Sequence, residues 1–285
     1  MFFKGIMYII YMLAVRIKGI KYSYLKKYKG NEAADKFVEE IAMKWSTYTI
    51  KTIGIEIEVE GKENIPTEPC VFISNHTSIL DIPILFKTIS KPIGFIAKKE
   101  MLKVPVLGYW LEKAHCVPLD RSNAREAVKS ISEGVKNIKE GFSMVIFPEG
   151  TRGKRGRVGE FKKGSLKLAT RAKALIVPVT IEGANKGFED ERRFKPCKVR
   201  VVFGKPINPS ELSKEELVEL ATSIREEIVM NIKENGLNES LDTISGETGI
   251  SVKNLNRFMG YEEFKNYKKE YEKSLNNGNS KISLN

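Results

Sequence analysis

The sequence predicts an α/β fold, a sheet flanked by helices and entered through an antiparallel pair of N-terminal helices. Three observations carry this. "IEIEVEG" (55–61) alternates at period two, the signature of a half-buried strand. Beyond it, short apolar runs bounded by turn residues recur between amphipathic stretches to about residue 235. Ahead of it, Phe37, Ile41, Trp45 and Tyr48 recur at helical spacing. At 285 residues, 41% of them hydrophobic, the chain is long enough to bury such a core. Three regions follow: a two-helix element at 1–54, an α/β domain at 55–235 and a polar appendage at 236–285.

"GIMYIIYMLAV" (5–15) is uncharged, but between Lys4 and Arg16 it reaches only about 17 Å as a helix, against about 30 Å of bilayer core. It runs into Arg16, Lys18 and Lys21 without a clean small-residue cleavage site, so a retained segment is expected rather than a cleaved signal. An apolar body with Tyr8, Tyr11, Tyr22, Tyr24 and Tyr28 and a basic flank suits a helix lying in an anionic leaflet. A buried first helix is the plainer alternative. The second helix is expected over 32–53, capped by Asn31 and ended by Gly54.

Strands are then predicted at 55–60, 70–74, 93–97, 115–119, 143–147, 175–181 and 198–203. Helices are predicted at 82–90, 103–113, 122–140, 164–173 and 213–235, the last opened by a Ser213 to Glu216 capping box. "ISGETGISVKNLNRFMG" (244–260) has a helix-turn-helix look, but residues 236–285 carry seven charges of each sign, without the basic excess of a DNA reader. No nucleic-acid partner is expected.

Lys and Arg outnumber Asp and Glu by 48 to 36, which points to an anionic partner. Seven of the basic residues and no acidic one fall in residues 1–30. Cys70, Cys116 and Cys197 are odd in number and widely spaced, supporting neither a zinc site nor a disulfide framework.

In "SNHTSILD" (74–81) His76 precedes Asp81 by five positions just after the apolar run "CVFIS". On one ideal helix these side chains would stand about 140° apart. With a strand before them and Pro83 favouring a first helical turn, strand, tight loop and helix entry is the better reading, and it lets His76 turn back to Asp81. A carboxylate on one imidazole nitrogen orients the ring and leaves the other free to act as a general base. Equally, Asp81 or Ser78 could cap the helix while His76 bonds loop backbone. Ser78 lacks a G-x-S-x-G elbow and ranks below His76 as a reactive group, as do the cysteines, Cys116 beside His115 included.

"FPEGTR" (147–152) follows the apolar strand "SMVI" and precedes Lys154, Arg155, Arg157, Lys162 and Lys163. Gly150 and Gly153 permit a tight turn, and the Arg152 guanidinium can grip phosphate as a fork. Amides at Gly164 and Ser165 would add to an anion cradle. Glu149 is placed to order these cations or to contact polar substrate groups.

"NHTSILD", "VPLDR", "FPEGTR" and "VPVTI", in this order across about residues 55–210, resemble the four blocks of the glycerolipid acyltransferase family that includes bacterial 1-acylglycerol-3-phosphate acyltransferases. The resemblance implies a mixed sheet flanked by helices with an N-terminal membrane-docking helix pair. It implies His76 as base and Asp81 as its partner, and Glu149, Gly150, Thr151 and Arg152 at a phosphorylated acceptor. Asp120 and Arg121 keep the second block, so Arg121 is carried over as a phosphate ligand. His115 stands where a glycine is common, and Gly153 where a serine is frequent.

What this implies is acyl transfer from an acyl-carrier protein or acyl-coenzyme A to the free hydroxyl of lysophosphatidic acid, on the cytoplasmic face of an anionic membrane. No metal or cofactor is called for, since a thioester is already activated. The tetrahedral oxyanion would be met by loop amides. Another lysolipid acceptor, or hydrolysis by the same dyad, are the alternatives.

Overall fold

The structure, a computed structural model, describes residues 2–119 and 124–232. Met1–Ile228 forms one compact unit, and a second unit begins at Val229. The expected appendage at 236–285, its helix-turn-helix segment included, lies outside the described residues.

Helices α1 (Phe2–Ile17), α2 (Gly19–Tyr28) and α3 (Asn31–Ile53) lead into β1 (Ile55–Glu60) and β2 (Val71–Ser74). Then follow α4 (Asp81–Thr88), β3 (Ile93–Lys98), α5 (Leu107–Lys113), β4 (Val117–Leu119), α6 (Ala124–Lys139) and β5 (Ser143–Ile146). The remainder is α7 (Lys167–Ala172), β6 (Ile176–Glu182), β7 (Cys197–Phe203) and α8 (Lys214–Asn231). The strands form one sheet in the order β1-β7-β6-β2-β5-β3-β4. All neighbours are parallel except β6 and β7, so the sheet is mixed.

Because strand side chains alternate, the apolar runs feed two cores at once. Phe72, Val145, Val177 and Val179 join Phe37, Ile41, Leu85 and Trp110 on the α2 to α5 side. Val71, Ile73, Met144 and Ile176 join Ile138, Leu168 and Ile224 on the side of α6 to α8. Phe72 meets Phe203 edge to face at 6.2 Å, and both are almost fully buried. Truncating either to Ala would cost about 3–5 kcal/mol.

The N-terminal region holds three helices where two were expected, because α1 and α2 are separated only by Lys18 and together face α3. Tyr11 stacks on Tyr48 at 3.9 Å, and Tyr8 Oη lies 2.9 Å from Thr49 Oγ1 while accepting Trp45 Nε1–H at 3.0 Å. The other side of this arm leaves Ile6, Ile9, Ile10, Leu13, Ile17 and Ile20 exposed. Among the described residues no helix is long and apolar enough to cross a membrane.

Other departures have local causes. Asn31 is the first residue of α3 rather than its cap, whereas Gly54 ends it in the left-handed conformation as expected. The helix predicted from 103 starts at Leu107, after Pro105 and after Val106 at φ 64°. The helix expected at 164 opens as a 3-10 turn, Lys163–Leu166, in which the Ser165 amide is taken by Lys162 O at 2.9 Å. That amide is therefore spent within the turn. The Ser213 and Glu216 box forms, with bonds of 2.9 and 3.2 Å.

Parallel pairing brings the C-terminal ends of β2, β5 and β6 to one edge, where ligand sites of such sheets gather. Asn75 extends the β2 to β6 ladder with its side chain, donating to Ile181 O and accepting from Ile181 N, both at 2.8 Å. His76 comes next in the chain.

Candidate active site

His76 leaves the end of β2, and Asp81 is the first residue of α4. The intervening loop turns the imidazole back so that Nδ1 lies 2.8 Å from Asp81 Oδ2. The same oxygen accepts the Thr77 and Ser78 amides at 2.8 and 3.0 Å. The expected capping of α4 by Asp81 does not form, since the helix has Leu80 at its N-cap and no side-chain cap bond; the Asp81 oxygen instead closes the preceding loop and orients the ring. Asp81 is fully buried, while the His76 side chain keeps 19% exposure. An ionised carboxylate only accepts, so the proton of neutral His76 is assigned to Nδ1 and Nε2 carries the free lone pair.

"FPEGTR" builds the other side of the ring. Phe147 stacks on the imidazole at 4.1 Å between centroids and 18° between planes. Glu149 Oε1 accepts the His76 amide and Oε2 the Gly159 amide, each at 2.8 Å. The Gly153 amide donates to His76 O at 2.7 Å. The base is therefore held through its ring, its N–H and its C=O, which is the kind of pre-organisation a reacting group needs. Burial pushes the Glu149 carboxyl above its usual range, and the two amide bonds pull against that rise.

Gly153 replaces the frequent serine for a steric reason. A Cβ there would lie 1.8 Å from Arg157 O, because the chain folds back through the turn Lys154–Gly156. Arg225 of α8 fixes the far side of that loop, donating to Gly159 O at 2.8 Å and Val158 O at 3.1 Å.

Gly150 turns the chain at φ 73°, Thr151 is exposed, and Arg152 keeps 39% side-chain exposure. Arg152 Nη1 donates to Glu189 Oε1 at 2.8 Å. Glu189 also accepts the Ile79 amide at 2.8 Å and the Ser78 hydroxyl. Sequence reasoning missed Glu189 and Phe147 as parts of the site. Phe147 was legible as the residue that follows β5 and opens "FPEGTR", but Glu189 sits in a charged run that singles out none of its carboxylates. The expected phosphate ligand Arg121 lies outside the described residues.

The lower-ranked reactive groups are engaged elsewhere. Ser78 is fully buried and its Oγ accepts the Leu80 amide at 3.0 Å. Burial pushes the Cys116 thiol up to about 12, far from a thiolate, and raises Cys70 as well. His115 stacks on Phe142 at 3.6 Å and sets Nε2 3.2 Å from Asp35. Its φ of 55° is the left-handed conformation that favours glycine, the residue common at this place. Among the described residues no cluster of His, Cys, Asp or Glu is arranged to hold a metal ion.

A buried carboxylate, a ring with one free nitrogen and an exposed guanidinium on the adjoining loop can deprotonate a hydroxyl in a molecule that also carries an anion. Known proteins resemble this chain in sequence and fold. The acyltransferase family profile matches residues 56–182. The chain is 36% identical over 179 residues, 61% of its length, to the chloroplastic 1-acyl-sn-glycerol-3-phosphate acyltransferase of Arabidopsis thaliana. It spans about half the length of that relative and of a Brassica napus counterpart. It is 33% identical to the "Probable 1-acyl-sn-glycerol-3-phosphate acyltransferase" of Mycoplasma pneumoniae, over 61% of this chain and 70% of that one. The crystal structure of the 1-acyl-sn-glycerophosphate (LPA) acyltransferase PlsC from Thermotoga maritima matches with a TM-score of 0.56 at 26% identity, covering 76% of this chain and 94% of that one. With the Mycoplasma pneumoniae relative matched at 33% identity over 70% of its length, the chain belongs to the acyltransferase family.

Proposed function

We propose that this protein acylates lysophosphatidic acid to phosphatidic acid, using an acyl thioester of coenzyme A or of an acyl-carrier protein. The observation that carries the reading is the 2.8 Å contact between His76 Nδ1 and a buried Asp81 that leaves Nε2 free. Nε2 takes the proton of the acceptor hydroxyl as its oxygen bonds to the thioester carbonyl carbon. Asp81 stabilises the imidazolium that results. The tetrahedral intermediate collapses with cleavage of the C–S bond, and the imidazolium returns its proton to the departing sulfur. No nucleophile of the protein is needed.

Arg152 is the acceptor's phosphate anchor, with Arg121 as a second cation. Gly150 and Thr151 shape the turn that presents Arg152. Glu149 acts on the substrate indirectly, by holding the His76 amide. The shared name of the relatives supports lysophosphatidic acid as the acceptor.

The α1 arm supports a membrane location. Its exposed face carries Ile9, Ile10, Leu13 and Ile17, continued by Ile20 of α2, with Lys18, Lys21, Lys26, Lys27 and Lys29 close by in the chain. Burying each such side chain in lipid contributes about 1.5–3 kcal/mol, and each basic residue near an anionic surface about 1 kcal/mol. The anionic cytoplasmic leaflet is the surface these charges favour.

The test is an acceptor comparison in mixed micelles with one acyl thioester, following thiol release and lipid product. Lysophosphatidic acid should be used at least tenfold better than monoacylglycerol, which lacks the phosphate. Equal use of the two, or thiol release without any acceptor, would overturn the assignment.

A further inference from the structure

One carboxylate outside the recognised motifs touches both halves of the site. Glu189 follows the 3-10 turn Ala184–Gly187 and is only 12% exposed. Its Oε2 accepts the Ser78 hydroxyl, and its Oε1 accepts both the Ile79 amide and Arg152 Nη1–H at 2.8 Å. Ser78 and Ile79 belong to the loop between His76 and Asp81, while Arg152 ends "FPEGTR". The mount is rigid: Asn185 Nδ2 donates to Asp190 at 2.9 Å, the Phe188 and Asp190 amides donate to Asn185 O at 3.2 Å, and Phe188 stacks on Phe194.

We infer that Glu189 is a positioning residue for the phosphorylated acceptor, holding Arg152 in its binding orientation and tying that phosphate anchor to the loop that carries the base. This rests on the reading of Arg152 as the acceptor's anchor. A guanidinium has five N–H donors, so one spent on Glu189 leaves four for a phosphate. An arginine already held loses less freedom when the anion arrives. A bare carboxylate here would repel phosphate, but three donors from the protein share the charge of Glu189, so Arg152 retains cationic character toward a ligand.

Because one carboxylate serves the anchor and the loop, the distance from phosphate to base is set by a single group. The prediction that separates this from a purely structural role is a split between KM and kcat. In Glu189→Gln the amide oxygen still accepts from Ile79 and the amide nitrogen can donate to Ser78 Oγ, so the loop keeps its contacts while Arg152 loses its ionic partner. KM for lysophosphatidic acid should rise about five- to tenfold, with kcat reduced less than about threefold.

The experiment is a double-mutant cycle on KM with Arg152→Ala, together with thermal melts. When Arg152 is already absent, Glu189→Gln should change KM less than about twofold. Glu189→Ala, which also frees the loop, should lower kcat at least about tenfold. Should Glu189→Ala not fold, the Glu189→Gln cycle still decides. An equal KM effect with and without Arg152, or an effect on kcat alone, would overturn the inference while wild-type turnover left the acceptor assignment standing. A wild-type protein that acylates no lysophospholipid would overturn the acceptor assignment and this role with it.

Discussion

Replacing Asp81 by Asn keeps the shape of the side chain and removes its charge. The amide oxygen must stay where Oδ2 is now, because the Thr77 and Ser78 amides both donate to that point. The new NH2 group then takes the place of Oδ1, a buried atom with no hydrogen-bond partner among the described residues. The three N–H bonds to this oxygen survive in geometry, so the His76 tautomer is preserved. What is lost is the attraction between imidazolium and carboxylate. With about 4 Å between charge centres and an effective dielectric of about 20, that attraction is about 4 kcal/mol, or about a thousandfold in rate. Initial rates of acyl transfer at saturating thioester should show kcat of Asp81→Asn reduced about a thousandfold, with KM for the acceptor within about threefold of wild type. A thermal melt would verify the fold. Turnover within tenfold of wild type would refute the argument that this charge stabilises the protonated base.

Glu149 gives a prediction about pH. Its carboxyl titrates above the ordinary value because of burial, so between the two values the folded state binds more protons than the unfolded one. Stability attributable to this group therefore falls as pH rises through that window. Glu149→Gln lacks the titration and loses one of the two amide bonds, since its NH2 must face an N–H donor. Its Tm should lie below that of wild type, and the gap should narrow from pH 4 to pH 7; melts showing a widening gap would reverse the sign assigned to the shift. On the α1 arm, the double change Ile9→Asp and Leu13→Asp should weaken partition onto anionic vesicles at least about tenfold, as measured by flotation. Unchanged partition would move the docking surface elsewhere.

The elements that packing dictates were legible in the sequence. Strands buried on both faces announce themselves as unbroken runs such as "CVFIS" and "SMVI", and the Ser213 box forms as its spacing demands. His76 and Asp81 were readable because the chemistry and the tight loop involve neighbours. Contacts across the fold were not. Ser78 and Glu189 are 111 positions apart, and only the meeting of the β2 and β6 ends brings them together. The ladder between Asn75 and Ile181 is hidden for the same reason. The broken starts of α5 and α7 depend on the backbone angle at Val106 and on the 3-10 turn Lys163–Leu166, neither of which apolar periodicity encodes.

On the proposed function, His76 is the base of an acyl transfer. The most direct test of this role compares wild type with His76→Ala for acceptor-dependent formation of phosphatidic acid from lysophosphatidic acid and an acyl thioester, with thermal melts of both. Product is expected from wild type and none detectable from a folded His76→Ala. Substantial product from the variant would contradict this role.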